Sequence, residues 1–136
     1  MPVKDSIDTT TASVRAILDS GHNLTVYNDF STPENTATLE RLSHEWGFRL
    51  VNLSELTQHP SPNYLLVLQT AQREAIADGA HLVIIESDVQ VYPATIDSLL
   101  QEVKEGVGMV ASVTVNDRGQ VNFPYEYAAS FNRDAV

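Results

Sequence analysis

The stretch "HLVIIESDVQVYP", His81 to Pro93, decides how this chain is read. Four apolar residues, Leu82 to Ile85, run directly into Glu86, Ser87 and Asp88. A short continuous apolar run is the pattern of a strand covered on both faces, the kind found in parallel sheets. At its end stand two carboxylates at i and i+2, which in a strand share one side of the sheet. Like charges placed together repel unless something positive lies between them. A divalent cation is one such partner, because hard cations take carboxylate oxygens. A strand that ends at the surface and spills into a polar turn is the other reading of the same residues.

Bulk properties narrow the classes. At 136 residues the chain has the length of one domain. Eighteen acidic against eight basic residues give a formal charge of −10, the opposite of what a phosphate-backbone reader needs, so no nucleic-acid partner is expected. There is no cysteine, which excludes disulfides and thiolate zinc sites. No apolar run approaches the roughly 20 residues of a spanning helix, and "MPVKDSIDTT" lacks the apolar core of a signal peptide. A cytoplasmic location is the resulting expectation.

Working outward, the pattern alternates. "DSIDTTTASVRAILDSG" reads as a helix with Ile7, Val14, Ile17 and Leu18 on one face and Gly21 at its end. A strand, Leu24 to Asn28, follows. "STPENTATLERLSHEWG" reads as a second helix, in which Ser31 and Glu34 have capping-box spacing, Pro33 suits the first turn and Gly47 ends it. "FRLVNL" is a strand, and a helix spans about Asn63 to Asp78. After the opening stretch, Pro93 can start a helix that stops at Gly106. "VGMVASVTV" and "QVNFPY" read as strands joined by the tight turn "NDRG". Alternation of this kind predicts an α/β fold, a three-layer αβα domain with a mainly parallel sheet, over residues 1–136. Ligands of such sheets bind beyond the carboxyl ends of the strands, where "YNDFST" and "ESDV" both fall.

With these blocks in place, the chain resembles family 2 glycosyltransferases of the GT-A fold. "VYNDFSTPENT" is similar to their V-D-D-G-S-T-D-x-T, and "ADGAHLVIIESDV" to the segment A-x-G-x-x-I-x-F-L-D-S-D-D that carries the D-x-D metal motif. "PVKDSIDTTTASVRAILDSG" is similar to the segment just after that family's first strand. The likeness runs from Pro2 to about Val115, the nucleotide-sugar half of such an enzyme. It implies that Asp29 contacts the nucleotide base, that Val3, Asp5 and Asn28 line the same pocket edge, and that Asp88 binds a Mn or Mg ion bridging the diphosphate. Glu86 falls where ribose and metal meet. The implied partners are a nucleotide-diphospho-sugar and an unknown saccharide or lipid acceptor.

The chain departs from the pattern at several positions. Glu86 replaces the first Asp of D-x-D, and Phe30 replaces a Gly. The family's A-R-N falls near Gln69 to Ala71, which read "QTA", with Arg73 nearby. No acceptor-side segment with a catalytic Asp is found, so the catalytic residue is unknown, and the family's first strand is expected to be missing. Two functions therefore stand beside each other. One is a glycosyltransferase, this chain being its donor-binding part. The other is a non-catalytic, truncated or degenerate relative that at most binds nucleotide. A missing central strand would leave two unpaired edges, and self-association as a homo-oligomer is an expected repair. Among the remaining residues, His22, His44, His59 and His81 are scattered and read as surface groups, and Trp46 as core. "EGVGMV" has too few glycines and the wrong context for a dinucleotide loop.

Overall fold

The computed structural model describes residues 1–112 together with residues 114, 115, 118, 121 and 122. The chain separates into two compact units, Met1–Ile96 and Asp97–Val136.

The first unit holds a three-stranded, all-parallel sheet in the order β1 (Pro2–Val3), β2 (Thr25–Asn28), β3 (Arg49–Asn52). Helix α1 (Ile7–Asp19) connects β1 to β2, and α2 (Pro33–Trp46) connects β2 to β3. A 3₁₀ turn at Leu53–Glu55 leads toward α3 (Tyr64–Asp78). Successive strand residues point to opposite faces, which settles the layering. Tyr27 packs with Leu53 and with Val67 of α3, joined by Phe30, Val51 and Ala71. The next residue, Asn28, turns the other way and donates to Thr36 Oγ1 of α2 at 3.0 Å. Helices α2 and α3 thus lie on opposite faces, an arrangement compatible with a layered αβα domain.

Local chemistry explains the element ends. Gly47 closes α2 at φ 76°, a left-handed conformation in which a side chain would be strained. Pro33 takes the first turn of α2 as expected, but the cap is Thr32, whose hydroxyl accepts from Asn35 N at 3.3 Å. Ser31 is not the cap. It bridges instead, accepting from Asp5 N at 3.0 Å and donating its own N–H to Asn28 Oδ1 at 3.2 Å. The core residues Leu53, Tyr27, Val67, Val14 and Ile17 are all buried. Each full burial contributes on the order of 1.5–3 kcal/mol. On the α3 face, Glu74 holds Arg49 through two contacts of 2.8 and 2.9 Å and accepts from Tyr27 OH at 3.2 Å. Burial, and then the Glu74 charge, push the Tyr27 hydroxyl above its usual range.

Two expectations about strands are corrected. The first strand is not missing, because Pro2–Val3 pairs with Tyr27–Asn28 and the chain opens on a strand. Conversely, Leu82 to Ile85 form no strand. The segment is covered on one side only, since Leu82 is 42% and Ile84 47% exposed while Val83 and Ile85 are half-buried. The reason lies in the edge that β1 would offer it. Met1 O and Val3 O accept from Tyr27 N and Asp29 N, so they face β2. By alternation the opposite edge presents Pro2, which has no N–H to donate. Lys4 has already turned, its carbonyl taken by Ser6 N at 2.8 Å. With so little backbone on that edge, the run joins no ladder; farther along, Ser13 Oγ of α1 donates to Val89 O.

Helix α4 (Thr95–Gln101) crosses from the first unit into the second. The second unit contains the antiparallel pair β4 (Thr114–Val115) and β5 (Val121–Asn122), in the register Thr114↔Asn122 and Val115↔Val121. The expected hairpin is present but short, and residues 107–112 are not a strand. The turn glycine Gly119 and the aromatic tail from Phe123 onward lie outside the described residues. No helix among the described residues is long and apolar enough to cross a membrane.

Candidate functional site at the carboxyl edge of the parallel sheet

Parallel strands that end together bring their following residues together. Val3 closes β1 and Asn28 closes β2, and Asp29 N donates to Val3 O at 2.8 Å. Asp5 follows β1 in a left-handed conformation, φ 58°, which turns its carboxylate toward the start of α2. Its Oδ1 accepts from Thr32 N at 2.6 Å and from Asn35 Nδ2 at 3.2 Å. Those bonds hold the Asp5 carboxyl below its ordinary range, the Thr32 amide first among them. A carboxylate at a helix N-terminus also faces the positive end of the helix dipole. Asn28 is buried and fully engaged: Nδ2 donates to Thr36 Oγ1 and to Asn52 Oδ1 at 2.9 Å, and Oδ1 accepts from Ser31 N. Four of the expected residues, Val3, Asp5, Asn28 and Asp29, are therefore neighbours on one edge.

Asp29 differs from expectation in its exposure. A carboxylate that contacts a nucleotide base should be well exposed and unpaired with Lys or Arg, yet Asp29 is only 8% exposed. Both its oxygens are occupied. Oδ2 accepts from Ser61 Oγ at 2.7 Å and Asn63 N at 2.8 Å, and Oδ1 accepts from Asn63 Nδ2 at 2.8 Å. Burial pushes its pKa up, but the Asn63 and Ser61 donors, with the Lys4 charge, outweigh it and the net shift is downward. Lys4 Nζ donates to Phe30 O at 2.6 Å and lies 3.5 Å from Asp29 O. Among the described residues it makes no ion pair with the Asp29 carboxylate, and it lies 3.9 Å from Asp5 Oδ2. The physical reason for the correction is the loop before α3, which folds back over the end of β2 and supplies the donors. Ser61 and Asn63 are site residues that sequence reading missed. The only sequence signal was the turn-rich "TQHPSPN", which shows a loop but not where it lands.

Phe30, which stands where the resembled family has Gly, has φ 57°. That left-handed backbone is one glycine adopts freely and other residues adopt at a cost of roughly 1–2 kcal/mol. Its ring offsets the strain by packing on the Tyr27, Leu53 and Val67 cluster.

The second acidic block is placed differently. Glu86 and Asp88 are both exposed, with Ser87 between them half-buried. Glu86 Oε1 accepts from Tyr64 OH at 2.7 Å, and its charge is felt by the Met1 ammonium. Asp88 sits in the turn at Ser87–Asp88, with no hydrogen bond or ion pair to the described residues. Mg²⁺ or Mn²⁺ binds through one or two carboxylates with substrate phosphates and water filling the rest, and Glu86 and Asp88 are exposed carboxylates of that kind, one Glu86 oxygen being taken by Tyr64. They are not an all-protein cage, and among the described residues no three His, Asp or Glu side chains group as one. Compared with known proteins, the chain matches no family model, no curated protein and no solved structure.

Proposed function

We propose that this chain binds a nucleotide-diphospho-sugar at the carboxyl edge of its parallel sheet, as the donor-binding part of a family 2-like glycosyltransferase working in the cytoplasm. The observation that carries the proposal is the convergence of Val3, Asp5, Asn28 and Asp29 at that edge beside the N-terminus of α2. Open α/β sheets bind their ligands there. The left-handed backbone at Phe30 adds support, because a glycine-type conformation persists where the resembled motif has its glycine. In this reading Asp29 meets the base, and Asp88 with Glu86 would hold a Mn or Mg ion. The ion would neutralise the diphosphate as it leaves. The acceptor, a saccharide or lipid, would come from the other side.

The test is calorimetric titration with UDP, GDP and ADP, each with and without Mn²⁺. Heat that requires metal is the expected result, and silence at millimolar nucleotide would remove the donor site. Asp88→Asn should abolish the metal-dependent heat. Because Asp88 is exposed and has no hydrogen bond or ion pair to the described residues, that change should alter stability by less than about 0.5 kcal/mol. An unchanged metal titration would place the ligand elsewhere.

A second reading, a non-catalytic relative that at most binds nucleotide, is favoured by one observation: the Asp29 carboxylate is already occupied by donors of its own chain. Self-association is proposed on either reading, since the one-sided apolar run at Leu82 to Ile85 leaves a face to cover. Sedimentation velocity at high micromolar concentration should show a dimer, and a clean monomer would refute it.

A further inference from the structure

The loop before α3 is tied down in an unusual way. Residues 58–62 make no backbone–backbone hydrogen bond among the described residues. Within the loop, His59 N donates to Thr57 Oγ1 and Asn63 Nδ2 donates to His59 O, which shape it but do not anchor it. Its hydrogen bonds to the sheet all end on one carboxylate, that of Asp29. His59, Pro60 and Pro62 are exposed, so moving the loop outward uncovers little of them. It is a strap fastened at one point.

How it is fastened has chemical content. Asn63 alone offers two N–H donors, one to each oxygen of Asp29, both at 2.8 Å. A carboxylate receiving two adjacent donors in this forked manner is a specific and strong recognition unit. Among the common bases only guanine presents that edge, N1–H beside N2–H. Uracil has one N–H flanked by two carbonyls, which would set oxygen against oxygen. Adenine and cytosine each put a ring acceptor next to their amino group.

We propose that Asn63 occupies Asp29 as the chain's own stand-in for the donor edge of guanine, and that the His59–Asn63 strap opens when a guanine nucleotide takes its place. This rests on the reading of the carboxyl edge as a nucleotide site and names the base that the site selects. The strap makes the empty site pay a competitor, and weakening the competitor strengthens the ligand.

The experiment uses the wild-type chain with Asn63→Ala and Ser61→Ala, titrated by calorimetry with GDP, UDP and ADP in the presence of Mn²⁺. Asn63 makes no side-chain cap on α3, so its truncation leaves the helix start intact, and thermal unfolding checks this. Asn63→Ala should tighten GDP about tenfold, equivalent to about 1.4 kcal/mol, and UDP or ADP by less than about threefold. Ser61→Ala should act in the same direction but less. Saturating GDP should speed amide exchange across 57–63 in the wild type. Equal gains for GDP and UDP, or no gain for GDP in the folded Asn63→Ala chain, would overturn the proposal. If UDP binds the wild type and ignores both substitutions, the nucleotide site stands and only the guanine strap falls. If no nucleotide binds any of the three chains, the site and the strap's role fall together.

Discussion

Replacing Asp29 by alanine should lower the unfolding free energy by about 3 kcal/mol, a large fraction of a small domain's stability. The carboxylate is buried and accepts three hydrogen bonds of 2.7–2.8 Å. Its loss strands the buried Asn63 amide and the Ser61 hydroxyl and leaves Asn63 Nδ2 with His59 O alone. Hydrogen bonds to a charged group are worth about 1.5–3 kcal/mol each, and the three are not additive because the freed strap can hydrate. Urea unfolding checks the figure, with Asp88→Asn as the exposed control. A loss under about 1 kcal/mol would mean that water replaces the strap at no cost. The pH dependence follows in sign. The folded pKa of Asp29 is lowered from 3.8. Its contribution is therefore present above that unfolded value and is lost as pH falls through the lower, folded one. Asp29→Ala should be selectively less sensitive than the wild type on that acid limb.

In a chain with a free α-amino group at Met1, stability should fall as pH drops from 8 to 6. That amine donates to Thr25 O at 3.0 Å beneath a Met1 that is 7% exposed. Burial lowers its pKa from 8.0 to about 6, against the opposing pull of Glu86. The unfolded chain binds the proton first, so the folded state loses stability as pH falls from the unfolded value through the folded one. At about 1.4 kcal/mol per pKa unit, the loss across that window approaches about 3 kcal/mol. Histidines titrate in the same range, so the comparison is with the Nα-acetylated chain, which lacks the amine. The free chain should show the steeper slope between pH 6 and 8. Equal slopes would mean that the amine is hydrated in the folded state.

Much of the first unit was legible in the residues. Helix α2 was legible because Pro33, the Leu39 and Leu42 stripe and Gly47 are local signals, each acting within a turn or two of itself. The parallel pairing of β2 with β3 follows from the helix between them, since two strands joined by a crossover helix run the same way. That Val3, Asp5, Asn28 and Asp29 share an edge follows in turn, because parallel strands end on the same side. The Ser31 cap was misread by one residue. Ser31 and Thr32 are both competent caps, and the choice fell to Asp5 and Asn28, which claim Ser31 from elsewhere in the chain.

Two features could not be read locally. Leu82 to Ile85 have the composition of a buried strand, and periodicity cannot see whether a neighbouring edge has N–H groups to offer. Pro2, 80 residues away in the sequence, withholds one there, and the run joins no ladder. Asp29 has the sequence of a free site residue, and nothing within its own strand and turn says otherwise. Its partners stand 32 and 34 positions along, in a loop whose path is set by how α3 packs on Tyr27 and Val51. Side-chain period, caps and turns are properties of a few adjacent residues and survive in the sequence. Which donor meets which acceptor across the end of a sheet is set by packing between distant segments, and only the folded chain brings them within 3 Å.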